Sequence, residues 1–374
     1  MFKSAVFISI AALILAGCAT NSSPPDQVVV GLPMTPEASE FNWHSTNAAP
    51  VVKPAHPSAP IVRTNPPAPV MMHPAPPQPQ TVLTWVSLNH WAGAEKIGAP
   101  HLISDLPVTC YAIGSSNGVL VLVIGSRDAS WNGVELHLGF EPQFIDDQVF
   151  VHELDLENNL EPLLLHGSPV EFGTNRLIVI DPGHGGREAG TKSVLNNRFE
   201  KEFTMDLALR LAPLLISNGW HVVLTRTNDI DVSLSNRVAI AESCHADLFI
   251  SLHFNSGAPD EKPTGLQTFC LTPPGMPSTL TRNFPDIWTQ VYPNNAFNSQ
   301  SVQVAMRLQT VLSRETGLDD RGVSRARFIG VLRGQRRPAV LIEAGFLSNP
   351  REARRIEDPD FRQKLAVAIA DALK

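Results

Sequence analysis

Three short apolar runs constrain this chain more than any other feature: LIVID at 177–181, DLFISLH at 247–253 and AVLIE at 339–343. Each is almost continuously apolar and too short for a typical helix. That is the pattern of a strand covered on both faces, which belongs in a parallel sheet with helices above and below. Each run also leads to a residue that can bind or assist a metal ion. His184 follows the first in DPGHGG, His253 ends the second and Glu343 ends the third. Ligands of open α/β sheets gather outside the carboxyl ends of the strands, so neighbouring strands would bring these residues to one edge. A fourth residue, Glu200, stands early in a helical pattern just after the first strand. Two His, one Glu and a separate Glu make up the donor set and proton carrier of a hydrolytic zinc site.

The segments between the runs complete the alternation. A helix is expected over about 200–218, with Phe203, Leu207, Leu211, Leu214 and Leu215 on one face and Gly219 as its C′ residue. Pro213 inside it should kink or shorten the last turn. HVVLTR (221–226) and GLQTFCL (265–271) read as strands, and so does FIGVLRG (328–334). Ser235 or Asn236 is expected to cap a helix running to about His245. Further helices are expected over Ser301–Thr316 and Asp360–Leu373. The expected fold is therefore α/β, a mixed, largely parallel sheet flanked by helices. A small β-rich domain and a disordered Pro-rich tether precede it.

Residues 5–17 form an apolar run after Lys3, short for a membrane span and suited to a signal-peptide core. It ends in Leu15-Ala16-Gly17-Cys18, which resembles the bacterial lipobox, in which the Cys is lipidated and becomes the mature N-terminus. Ala19, and not Asp, follows the Cys. In Gram-negative lipoproteins that resemblance implies a periplasm-facing protein anchored in the outer membrane. Residues 19–80 read as a linker, dense in Pro from Pro50 to Pro79. Pro lacks an amide donor, so such a stretch stays extended and solvated; at about 3.1 Å per residue its core reaches on the order of 90 Å.

Residues 81–170 alternate strand-like segments (TCYAIG, GVLVLVIG, VELHLG, QVFVHELDL) with Gly and Asn-Gly turns. SRDASWNGVELHLGFEPQFIDDQVFVHELDLENNLEPLL resembles the small N-terminal domain of copper amine oxidases, which is also appended to some cell-wall hydrolases. His137 and His152 there have no partner at metal spacing and are read as surface or core residues. Apart from Cys18, three Cys remain (Cys110, Cys244, Cys270), which is no disulfide framework. The net charge of −7 and the absence of a basic stripe argue against nucleic acid as a partner.

From 175 to 374 five motifs occur in order: IDPGHGG, RFEKEFTMDLALRL, LTRTND with Leu234 and Arg237, DLFISLHFNS, and PAVLIEAGFLSNP. Together they resemble the zinc-dependent N-acetylmuramoyl-L-alanine amidases of the amidase-3 type. The resemblance implies zinc ligands at His184, Glu200 and His253, a catalytic Glu343, and peptidoglycan as substrate. The implied role is cell-wall remodelling or daughter-cell separation. Zinc in such a site polarises a carbonyl and acidifies water, and Glu343 would take the proton and deliver it to the departing amine. Asp181, three residues before His184, is placed to orient a ligand imidazole. Asn255 either bonds substrate or turns the chain.

Plainer roles compete for several of these residues. Glu200 and Glu202 are both placed to favour the start of the helix. Glu343 could pair with Arg333 or Arg337. Arg226, Asp229 and Arg237 are read as a structural polar network. Glu188 stands where family members often carry Asp. The insert at 272–297 holds Pro273, Pro274, Pro277, Pro285 and Pro293, so it is expected to form a lip beside the substrate and not a long occluding helix. Two other functions fit the same chain less well: a peptidoglycan-binding lipoprotein with a dead catalytic fold, and a zinc peptidase cutting within the stem peptide.

Overall fold

A computed structural model of the chain describes residues 28–29, 84–167, 172–173, 175–281 and 286–374. The expected signal, Cys18 and most of the linker lie outside the described residues, as does part of the insert.

The strands that build the main sheet are β1 (His101–Ser104), β2 (Cys110–Ser115), β3 (Gly118–Val123), β4 (Asp128–Trp131), β5 (Val134–His137), β6 (Leu177–Pro182), β7 (His221–Leu224), β8 (Leu248–Asn255), β9 (Leu266–Cys270), β10 (Asp320–Arg325) and β11 (Ala339–Phe346). Their order across the sheet is β7-β6-β8-β11-β9-β10-β5-β4-β3-β2-β1, with Val28–Val29 added beside β7. β7, β6, β8 and β11 run parallel, and β9 lies antiparallel to β11. The three opening runs are β6, β8 and β11, adjacent as expected.

Alternation along these strands sorts their side chains onto two cores. Ile178, Ile180, Leu248, Ile250, Leu252, Val340 and Ile342 pack toward α1 (Glu200–Ser217), α3 (Asn298–Thr316) and α5 (Pro359–Ala372). Val179, Phe249, Ala339 and Leu341 face the other way, toward α2 (Leu234–Ser243) and the short helix Gly330–Arg333. All of these strand residues are buried, which is why the runs read as continuously apolar. A fourth labelled helix, α4 (Pro350–Glu357), precedes α5.

Several local expectations are corrected. FIGVLRG is not a strand: Gly330–Arg333 is helical, and β10 takes the sheet position beside β9. β10 itself was hidden, because DRGVSR has one large apolar residue, Val323, and buries Ser324 and Arg325 through hydrogen bonds. The cap of α2 is Ser233, whose Oγ accepts from the Asn236 amide, and not Ser235 or Asn236. Pro213 does not shorten α1, which continues to Ser217. Pro213 forfeits one intrahelical bond, and its carbonyl still accepts from Ser217 Oγ at 2.9 Å.

The 84–167 region is not set apart from the catalytic sheet. β1 to β5 form an antiparallel meander, and β5 joins β10 in parallel at Leu136–Val323. A smaller sheet of Trp85–Ser87, Gln148–His152 and Gln143–Ile145 lies beside it. A buried polar seam ties the two regions. Arg325, 1% exposed, donates to Asn159 Oδ1 (3.0 Å), Asn158 O (2.5 Å) and Leu271 O (3.0 Å). Asp155 in turn accepts from Asn159 and from the amides of Gly139 and Phe140. His137 bonds Asp128 and Arg321 O, and buried His152 stacks on Phe140. Cys110, Cys244 and Cys270 are free thiols.

Candidate metal centre

The site forms where β6, β8 and β11 end. His253 and Glu343 are register partners on adjacent parallel strands, so both point to the same face at the same height. Just beyond them the β8–β11 pairing slips between His253 and Asn255, and the strand ends. β6 stops at Pro182, and the Gly-rich turn carries His184 over the sheet edge.

That turn is held by buried cations. Arg226 donates to Pro182 O (3.0 Å) and Gly183 O (2.9 Å), and Arg237 donates to Pro182 O (2.9 Å) and His184 O (2.8 Å). Three consecutive carbonyls are thus gathered by two guanidinium groups. His184 sits at φ 61°, a left-handed conformation that non-Gly residues seldom adopt. Lys201 completes the clamp, donating to Gly186 O and to Asp229, while Asp229 accepts from the Gly186 amide. The expected polar network of Arg226, Asp229 and Arg237 is found, and its product is the shape of the loop that carries His184.

Asp181 does not orient an imidazole as expected. It is fully buried on β6 and accepts from Thr225 Oγ1 (2.5 Å), Arg237 Nη1 (2.6 Å) and Ser251 Oγ (2.7 Å). A strand residue three positions back lies beneath the turn and reaches the guanidinium that holds it, not the ring above. Burial pushes the Asp181 carboxyl up, but Arg237 and the hydrogen bonds outweigh it and leave it below its ordinary value.

Glu200 opens α1 and points under the strand ends. Glu202 caps the helix, its Oε1 accepting from the Phe199 amide at 2.9 Å, so Glu200 is released from that duty. Glu200 Oε1 lies 2.8 Å from His253 Nδ1 and accepts from the Phe254 amide. Its Oε2 lies 3.1 Å from His184 Nε2 and accepts from the Thr191 amide. Burial raises the Glu200 carboxyl, but His184 and His253 reverse the sign and hold it well below the usual range. Burial likewise presses the His184 imidazole down, and Glu188 and Glu200 overcome it, lifting it to about 9 without an ion.

One donor atom from each of His184, Glu200 and His253 falls within 4.8 Å of the others. Two imidazoles and a buried carboxylate are a donor set that suits zinc and leaves a coordination position open. The backbone has been cleared to bring them together. A Cβ at Gly190 would stand 2.6 Å from Glu200 Oε2 and 2.6 Å from His184 Cδ2, and one at Gly183 would stand 2.3 Å from the His253 ring. The residues present fit the ion.

A cavity of about 440 Å³ opens over this group. Glu343 and Asn255 line it with the donors, and Leu234, Leu280, Phe328, Ile329 and Val331 form an apolar wall. Asn255 Oδ1 accepts from the Ser256 amide, so it turns the chain while lining the cavity. Arg337 donates to Ala241 O and pairs with Glu242 instead of Glu343. Leu280 comes from the insert, which Arg327 pins by bonding Ser278, Asp286, Pro273 O and Met276 O. The described part of the insert holds only a single-turn helix, Pro293–Phe297, and no long helix. Glu188 also borders the cavity beside His184, a placement that its sequence position alone did not reveal.

Residues 178–374, more than half of the chain, match the Amidase_3 family, N-acetylmuramoyl-L-alanine amidase. The chain belongs to that family. It is 32% identical over 194 residues to the N-acetylmuramoyl-L-alanine amidase LytC of Bacillus subtilis, covering 52% of this chain and 34% of LytC. It is 32% identical over 243 residues to AmiC of Escherichia coli, covering 59% and 58% of the two chains. The chain thus spans less than two thirds of both relatives. AmiA of Salmonella typhimurium is 29% identical over 245 residues, 59% of this chain and 84% of its own. Among solved structures, the catalytic domain of the amidase CwlV from Bacillus (Paenibacillus) polymyxa is 31% identical, with a TM-score of 0.44 over 53% of this chain and 96% of that one.

Proposed function

We propose that this chain is a zinc-dependent N-acetylmuramoyl-L-alanine amidase that cleaves peptidoglycan between the lactyl group of N-acetylmuramic acid and L-alanine. The observation that carries the reading is the convergence of His184, Glu200 and His253 beside Glu343 at one sheet edge, inside the family-matched segment. His184, Glu200 and His253 would hold the ion. Zinc, when bound, supplies Lewis acidity at the scissile carbonyl and makes water easier to deprotonate.

The remaining work falls to this chain's residues. The Glu343 carboxylate accepts a proton from the attacking water and passes it to the departing alanyl nitrogen. The products are the lactyl carboxylate and a peptide with a free amino terminus. Arg226 and Arg237 keep the His184 turn in its left-handed form through the reaction, and the apolar wall limits bulk water near Glu343. The insert, fixed by Arg327, acts as a substrate-side lip.

The layout proposed with this activity has a lipoprotein signal at 1–18 with acylated Cys18, a Pro-rich tether at 19–80, a β-rich accessory segment resembling the copper amine oxidase N-terminal domain at 81–170, and the catalytic unit at 175–374. The chain would work in the cell envelope, facing the periplasm from an outer-membrane lipid anchor. Among the described residues no helix is long and apolar enough to cross a membrane. Digestion of purified peptidoglycan followed by mass spectrometry tests the activity. Released stem peptides beginning with L-alanine are expected; muropeptides carrying shortened peptides would instead indicate a stem-peptide peptidase.

A further inference from the structure

The three donor residues are not equally supported. Glu200 has both oxygens engaged by backbone amides and by the two rings. His253 presents Nδ1 to Glu200, and its ring lies against the Cα of Gly183. His184 has its carbonyl fixed by Arg237 and presents Nε2 to Glu200. Its other nitrogen, Nδ1, is buried and has no hydrogen-bond partner. A neutral imidazole whose second nitrogen is unbonded has neither its tautomer nor its ring rotation defined.

A carboxylate stands close to that nitrogen. Glu188 Oε1 lies 3.6 Å from His184 Nδ1. The backbone carries it there, because Gly185 and Glu188 exchange two bonds, 2.8 Å from the Gly185 amide to Glu188 O and 3.2 Å in return. The Glu188 side chain is 66% exposed, so it has room to change rotamer. Closing the gap to a normal N–H···O distance needs a shift of roughly half an ångström.

We propose that Glu188 is the positioning residue of the His184 imidazole. Its carboxylate accepts a hydrogen bond from Nδ1–H, which fixes the tautomer, holds the ring plane and leaves the Nε2 lone pair facing the group shared with Glu200 and His253. A carboxylate bonded to the far nitrogen also makes the near one a stronger donor. Glu188 is not itself a ligand in this arrangement. It faces the nitrogen opposite the convergence, and the donor group comprises His184, Glu200 and His253 without it.

The inference rests on the zinc reading, and one experiment separates the two. Zinc affinity of the full chain is measured by competition with a chromophoric chelator for the wild type, Glu188→Ala and Glu188→Gln, with thermal unfolding of each metal-free form alongside. The wild type should bind one zinc. Glu188→Ala should bind about tenfold more weakly, the lower end for loss of such a partner, because Glu188 is exposed. Glu188→Gln should keep most of the affinity, since its amide oxygen still accepts a hydrogen bond from Nδ1–H. The metal-free melting temperatures should agree. Equal affinity for wild type and Glu188→Ala would overturn the positioning role while leaving the metal site intact. A loss in Glu188→Gln as large as in Glu188→Ala would overturn it in favour of a direct charge or ligand role. A wild type that takes up no zinc would remove the metal reading and this inference together.

Discussion

Replacing Asp181 by Asn tests whether the metal loop is shaped from beneath. Asp181 is fully buried and is the ion-pair partner of Arg237, which is 2% exposed. Removing one partner of a buried pair costs about 3–5 kcal/mol, because the other charge stays buried and uncompensated. Asn keeps the size and can still accept from Thr225, and Arg237 keeps Val232 O, Pro182 O and His184 O as acceptors. The expected loss is therefore near the lower end, about 3 kcal/mol. Against a typical total of about 5–15 kcal/mol this is large and measurable by urea unfolding.

The effect should depend on pH with a definite sign. The Asp181 carboxyl titrates below its ordinary 3.8 in the fold, so its contribution is complete above that value and is lost as pH falls through the lower folded value. Wild type and Asp181→Asn should therefore differ most at neutral pH and converge in acid. A difference under about 1 kcal/mol at neutral pH, or one that persists in full far below pH 3.8, would refute the reasoning. Zinc affinity of the variant should fall as well, because Arg237 would no longer be held firmly against the His184 carbonyl.

Other substitutions isolate other parts of the site. Gly190→Ala should weaken zinc binding at least about tenfold with secondary structure retained, because a Cβ there meets Glu200 and His184 at a φ of 71°; zinc titration with circular dichroism checks it. Glu202→Ala should lose a helix cap, about 1 kcal/mol of stability, and keep its zinc, whereas Glu200→Ala should lose the metal; melting curves and metal content distinguish them. A chain beginning at residue 172 should be less stable than the full chain by at least about 3 kcal/mol, because β10 loses β5 and buried Arg325 loses Asn158 and Asn159; denaturant unfolding of the two forms measures it.

The sequence was most legible where burial and chemistry coincide. β6, β8 and β11 are buried on both faces, so their apolar continuity is a direct imprint of position, and the polar residues at their ends stand out. His253 and Glu343 stood out at strand ends for that reason, and His184 just past one; Glu200 opens α1 and was picked out by the family resemblance. What escaped was structure maintained by hydrogen bonds. β10 buries Ser324 and Arg325, which read as loop residues until Leu271 O, Asn159 and Gln267 appear as partners. The junction of β5 with β10 rests on a single register pair, Leu136–Val323, between segments far apart in the chain. Asp181 was singled out by its place before the turn, but its partner is Arg237 and not an imidazole. The guanidinium that it holds comes from α2, 56 residues on. Glu188 escaped because its proximity to His184 Nδ1 depends on how the Gly-rich turn folds back.

In the proposed mechanism the labour is divided: His184, Glu200 and His253 would hold the ion, and Glu343 would move the proton. The most direct measurement is zinc content and peptidoglycan turnover of Glu343→Gln beside the wild type. One zinc per chain is expected in both proteins, with release of L-alanine-terminated peptides lost by a factor of about 10²–10⁴ in the variant. Turnover near the wild-type rate would contradict the role of Glu343, and loss of zinc would show that it belongs to the metal site instead.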